Sequence, residues 1–159
     1  MGTRWLDTSQ QHSWRALILG MTLLLDRLDD DLRRDFGLSL AEYEIMVRLS
    51  EAPDRSMRMA RLADSLAHSR SRVTHTVQRM ERAGLVERCD SPDDGRGVLA
   101  SLTDQGFAVL EQAAATHVTG VRANLVDLAS DDDFAALGRV MDKVADRLVA
   151  GHPEMDIRT

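Results

Sequence analysis

The segment from Met57 to Thr103 constrains this chain more than any other. Leu62, Ala63 and Leu66 repeat at helical spacing, which predicts a helix over 59–66. Ala67-His68-Ser69 breaks it, and Ser69 has the chemistry of an N-cap, since its hydroxyl can accept a free N–H of the next turn. In the helix that follows, Val73, Val77 and Met80 fall at i, i+4 and i+7 and share one buried face. Gly84 closes that helix as the residue beyond its last turn. Leu85–Arg88 and Val98–Leu102 read as strands, with Ser91-Pro92-Asp93-Asp94-Gly95 as the turn between them. Helix, turn, helix and hairpin in this order make a winged helix-turn-helix. The expected class is mainly α with a small two-stranded β wing.

The second helix also points to a chemistry. Ser71, His75, Gln78 and Arg82 project away from its apolar face, with Arg72, Thr74 and Arg79 on the flanks. A face of Arg, Ser, Thr, His and Gln can donate to phosphates and base edges, whereas a merely solvated face more often mixes Glu and Lys. The formal net charge of −6 argues at first against a nucleic-acid partner. From Arg55 to Cys89, however, eight arginines stand against three acids, a local excess of +5 that leaves −11 on the rest of the chain. Phosphate contacts are local, so a basic patch on an acidic body suits a DNA reader and limits indiscriminate sticking.

The flanks are helical. Trp14, Leu17, Ile18, Met21, Leu25, Leu28, Leu32 and Phe36 fall close to one stripe, which predicts a helix from about Gln11 to Phe36, ended by Gly37. Residues 1 to about 8 read as loosely ordered, and Asp29-Asp30-Asp31 as a solvated acid run rather than a metal site. Ser39 with Glu42 three residues on forms a capping box for a helix that carries Tyr43, Ile45, Met46 and Leu49 and stops before Pro53. Asp54-Arg55-Ser56 reads as a linker. Thr103 caps a helix with Phe107, Leu110, Ala114, Val118 and Val121 in register. Ser130 opens a last helix with Phe134, Leu137, Val140, Met141, Val144 and Leu148 on one face. The folded head needs only part of the terminal apolar stripes. Either both chain ends pair with a second copy, or they close a monomeric bundle.

Catalysis and metal binding have no footing. No G-x-S-x-G, P-loop or G-x-G-x-x-G occurs, and the five histidines (12, 68, 75, 117, 152) lack ligand spacing. His117 reads as a surface or satisfied histidine. One cysteine excludes an intrachain disulfide, and Cys89 reads as an inert small residue. No cofactor and no enzymatic activity are expected. No apolar run reaches the roughly 18 residues that span a bilayer, and no signal pattern opens the chain, so a cytoplasmic protein without a membrane partner is expected.

The runs LADSLAHSRSRVTHTVQRMERAGLVER and SPDDGRGVLASLTDQG, in this order and spacing, resemble the MarR family of bacterial transcription regulators. The resemblance extends over nearly the whole chain. It implies a single domain over 1–159, with a winged-helix DNA-binding region at about 39–103 and dimerisation helices at about 9–37 and 104–150. It implies a homodimer on double-stranded DNA with an inverted-repeat operator, most often as a repressor. Arg70, Ser71, Arg72, Thr74, His75, Gln78 and Arg79 would then meet the major groove and its phosphates. Ser39 would offer a helix N-terminus to phosphate. Arg96 at the wing tip matches the family's minor-groove arginine, braced by Asp94. Many members carry a second basic residue where this chain has Gly95. The reactive cysteine of the family's peroxide sensors, near the start of the first helix, has no counterpart here. The resemblance further implies release by a small aromatic effector, for which Trp14, Leu17, Met21 and Met46 could line a pocket. The alternative is a dimer of this fold that binds proteins or acts as an anti-regulator without reading DNA.

Overall fold

The computed structural model describes residues 2–66, 68–93 and 95–158. Six helices and a small sheet follow in the order α1 (Thr8–Phe36), α2 (Leu40–Glu51), β1 (Ser56–Arg58), α3 (Met59–Ser65), α4 (Arg70–Arg82), β2 (Val86–Asp90), β3 (Val98–Leu102), α5 (Asp104–Asn124) and α6 (Asp131–Leu148).

Helix ends fall where short polar side chains satisfy free backbone donors. The hydroxyls of Ser39, Ser69, Thr103 and Ser130 accept from the N–H groups of Glu42, Arg72, Gly106 and Asp133. Each such cap is worth about 1 kcal/mol. Helix α1 begins earlier than its apolar stripe suggests, because Asp7 and Gln10 form a reciprocal capping box at Thr8. At the far end of α4, Gly84 has φ +74°, and the N–H groups of Gly84 and Leu85 donate to the carbonyls of Glu81 and Met80. That paired closure turns the chain directly into β2.

The core fills the space between these elements. Leu32 of α1, Ile45, Met46 and Leu49 of α2, Leu62 of α3, Val73, Val77 and Met80 of α4, and Ala100 of β3 are all essentially inaccessible. Burial of a side chain of this kind contributes about 1.5–3 kcal/mol, so the recognition-helix candidate α4 is held by its whole inner face. Helix α5 closes the head. Gly106 lies so near the α4–β2 junction that a Cβ there would come within 2.2 Å of the Leu85 carbonyl oxygen.

The wing differs from the expectation of two strands. The sheet has three, in the order β1-β3-β2, all antiparallel. Residues 54–56, expected as a linker, instead make a tight turn through Asp54 and Arg55, both left-handed (φ +53° and +52°), that delivers Ser56 into β1. The Ser56 and Ser101 hydroxyls meet at 2.6 Å across β1 and β3. A three-residue strand shows no alternation of its own, and its partner lies 45 residues away, so no local pattern reports it.

The acid run in α1 also differs from a solvated face. Asp30 is exposed, but Asp31 is buried and bridges Arg27 and Arg34 at 3.0 and 2.7 Å. Asp29 accepts the Leu40 N–H at 2.7 Å, at the first turn of α2. Asp29 therefore ties α1 to α2, Asp31 braces α1 from within, and both carboxylates are held below the usual range. For Asp31 the hydrogen bonds from Arg34 and Arg27 dominate. For Asp29 burial opposes the shift, and Arg33 with the Leu40 N–H overcomes it.

Two regions carry apolar side chains the head does not cover. On α1, Trp14, Ile18, Met21 and Leu25 are 40–54% exposed, and α6 buries none of its side chains. No helix among the described residues is long and apolar enough to cross a membrane.

Candidate nucleic-acid interface

Helix α4 rests on Val73, Val77 and Met80 and turns its other side outward. Arg70, Ser71, Arg72, His75, Arg79 and Arg82 are exposed on it, and Thr74 and Gln78 are partly covered. The face anticipated from spacing alone is thus assembled as one surface. Thr76, between these residues, is buried, and its hydroxyl donates to the Arg72 carbonyl at 3.0 Å.

The surface continues into a groove of about 690 Å³ whose walls include Asp26, Arg33, Leu40, His68, Arg72 and His75. Helix α1 and the start of α2 form its other side. Arg79 reaches across to Glu42, Nε to Oε1 at 3.4 Å. Glu42 also closes the capping box of Ser39, accepting the Ser39 N–H at 2.8 Å. One carboxylate therefore caps the start of α2 and orients an arginine of α4. This bracing role of Glu42 was not read from the sequence, where the residue appears only as a capping partner.

Ser39 itself is buried, and its hydroxyl is committed to Glu42 as both donor and acceptor. It shapes the start of α2 and presents no free hydroxyl.

The wing turn is closed by the Ser91 N–H donating to Gly97 O at 2.7 Å and the Gly95 N–H donating to Ser91 O at 3.2 Å. Gly95 has φ +60°, a conformation side chains disfavour, which suits glycine to this turn position. Arg96 is exposed beside it and shares a cleft with Arg58, Met59 and Gly97. Arg58 is a second cation at the wing base that the sequence reading left out. The eight-arginine run was the signal that contained it. The bracing role expected of Asp94 lies outside the described residues, as does Ala67 of the break before α4.

The four residues expected to line an effector pocket are not brought together. Met46 is inaccessible within the core, whereas Trp14 and Met21 lie on the exposed half of α1 with Leu17 beside them. His117 of α5 is half-buried, with its ring centroid 4.6 Å from that of Tyr43. Its Nδ1 is buried without a partner among the described residues, and burial pushes the imidazole below its ordinary value. Cys89 is exposed on β2.

Comparison with known proteins agrees with this geometry. A sequence profile described as the MarR family matches residues 36–97, the span from the end of α1 to the wing. The chain is 30% identical over 125 residues to the HTH-type transcriptional regulator PecS of Dickeya dadantii, covering 76% of this chain and 75% of that one. Among solved structures, Sco3205 of Streptomyces coelicolor, a MarR family transcriptional regulator crystallised in complex with DNA, superposes with a TM-score of 0.88. It is 41% identical over 92% of each chain. AbsC, a MarR family transcriptional regulator from the same organism, gives a TM-score of 0.87 at 38% identity, over 93% of this chain and 99% of that one. The likeness spans the head and the terminal helices alike, and this chain belongs to the MarR family of winged-helix transcription regulators.

Proposed function

We propose that this protein represses transcription by binding, as a homodimer, an inverted-repeat operator in double-stranded DNA. The observation that carries this reading is the outer face of α4. Arg70, Ser71, Arg72, His75 and Arg79 stand exposed on a helix whose inner side is locked into the core. A rigid helix rich in guanidinium and hydroxyl donors suits the major groove, where Arg pairs with guanine and Gln78 has the donor and acceptor that adenine requires. Arg96 at the wing suits the narrower groove alongside. That the Streptomyces coelicolor relative was crystallised in complex with DNA supports a DNA partner for this chain.

Uncovered apolar surface supports the dimer. The apolar stripes of α1 and α6 lie at the two ends of the chain, and a second copy would bury both by two-fold symmetry. Two heads so joined would read half-sites about 10 base pairs apart, centre to centre. Release by a small effector would act through the junction of these helices with the head.

The test is fluorescence anisotropy with duplex from the promoter next to the protein's own coding region, repeated across salt. Saturation at two chains per duplex, discrimination against a scrambled duplex and a log-linear fall of affinity with salt are expected. Equal affinity for the scrambled duplex would remove the reading. Sedimentation of Val140→Asp and Ile18→Asp, both at exposed positions, should give folded monomers from a dimeric parent.

A further inference from the structure

Arg58 stands at the junction of the wing sheet and the helix-turn-helix. It ends β1, lies in register with Leu99 of β3, and directly precedes Met59, the first residue of α3. Its side chain is exposed and lies against the wing at Gly97. A Cβ at position 97 would stand 3.2 Å from the Arg58 Nη1 and 3.7 Å from its Cζ, closer than side chains normally approach. The Ser91 Cβ, at 3.6 Å, would be an ordinary contact. Gly97 has no positive φ, so its backbone would accept a side chain. What glycine provides here is the space in which the Arg58 guanidinium lies. Arg96 and Val98 line the same cleft, of about 360 Å³, so the end of β1 and the wing turn each bring a guanidinium to it.

In a helix-turn-helix the second helix enters the major groove while the first crosses the sugar–phosphate backbone. Helix α3 is that first helix, and Arg58 is the residue at its entry. The minor groove that suits Arg96 is bordered by phosphates on both sides. A guanidinium meets phosphate oxygens with parallel N–H donors, which fixes direction as well as charge.

We propose that Arg58 is a further DNA-binding residue, a phosphate contact positioned by Gly97. Its guanidinium holds the backbone at the edge of the groove that Arg96 enters, so that head and wing engage the duplex together. The inference rests on the regulator reading above for its partner, duplex DNA. It does not rest on the operator's sequence, because a phosphate contact is the same on any duplex.

The experiment is fluorescence anisotropy of the full-length protein on promoter and scrambled duplex across a salt series, with thermal unfolding of each variant alongside. Arg58→Ala should weaken binding to both duplexes by about tenfold and reduce the salt slope by about one unit. Arg58→Lys, which keeps the cation, should retain the slope. Gly97→Ala, which displaces the guanidinium and leaves the charge, should weaken binding by about threefold or more in the parent and add nothing in the Arg58→Ala background. A salt slope unchanged by Arg58→Ala would overturn the proposal, whatever happens to the melting temperature. So would a Gly97→Ala effect of equal size with and without Arg58. A parent with equal affinity for both duplexes would remove the operator reading alone and leave the Arg58 comparison intact. A parent that binds neither duplex would overturn both.

Discussion

The Asp29 carboxylate accepts the backbone N–H of Leu40 at 2.7 Å, and so fastens the long first helix to the first turn of the helix behind the reading head. An anion at a helix N-terminus is doubly favourable, as acceptor for a free N–H and as partner for the helix dipole. Arg33, also bonded to Asp29, holds the carboxylate in position.

Asp29→Ala should therefore lower stability by about 1–2 kcal/mol, the worth of a charge-assisted hydrogen bond. Asp29→Asn, which keeps an acceptor, should cost less. Urea denaturation of both variants checks this, and equal stability of all three proteins would deny the link between α1 and α2 any energetic weight.

Stability should fall on acidification in two stages. His117 is half-buried against Tyr43 with its folded value pushed below 6.5, so the unfolded chain takes up the proton first. Stability is then full above pH 6.5 and declines as pH drops toward the folded value. Asp29 and Asp31 are held below 3.8, so their contribution is present above that pH and disappears as pH falls through their folded values. Denaturation midpoints against pH should show both limbs. His117→Phe should flatten the upper one and leave the lower intact.

Gly106→Ala should be among the most damaging single changes in the head. The added methyl would meet the Leu85 carbonyl at 2.2 Å and Leu102 Cδ1 at 2.8 Å, and a backbone carbonyl at an element junction cannot turn aside. Overpacking of this kind costs about 1–3 kcal/mol, and thermal unfolding would measure it. Gly138→Ala on α6, with open space around it, is the matched control and should be neutral or mildly stabilising.

Base-reading and phosphate-holding residues should separate in a salt series. Arg72→Ala and His75→Ala should cost about 1–3 kcal/mol on the operator and narrow its advantage over scrambled duplex. Arg96→Ala should weaken binding to both duplexes and reduce the salt slope by about one unit. Glu42→Ala, which frees Arg79, should alter operator affinity although Glu42 carries the wrong charge to touch DNA. If it leaves affinity unchanged, the brace has no part in binding.

Most of the head was legible in the residues because its signals are local. A cap is a bond between positions three apart, and a buried helix face repeats within two turns. Ser39, Ser69, Thr103 and Ser130 thus announced their helices, and Val73, Val77 and Met80 announced which side of α4 would be hidden. The reading face followed by subtraction, since whatever does not face the core must face outward. Strand β3 was bounded from its apolar run alone, at Val98–Leu102.

The set of helices, their inner and outer faces and the family resemblance were all legible from the residues. All of these rest on contacts that begin and end within one or two turns of chain. The partner 45 residues on that brings Ser56–Arg58 into the sheet, and the Leu40 N–H that Asp29 accepts from another helix, were set only by the folded chain. The same holds for Glu42, which braces Arg79 from a position 37 residues away. Each of these depends on two distant segments arriving at one place, and the pairing energy belongs to neither segment until the core has brought them together.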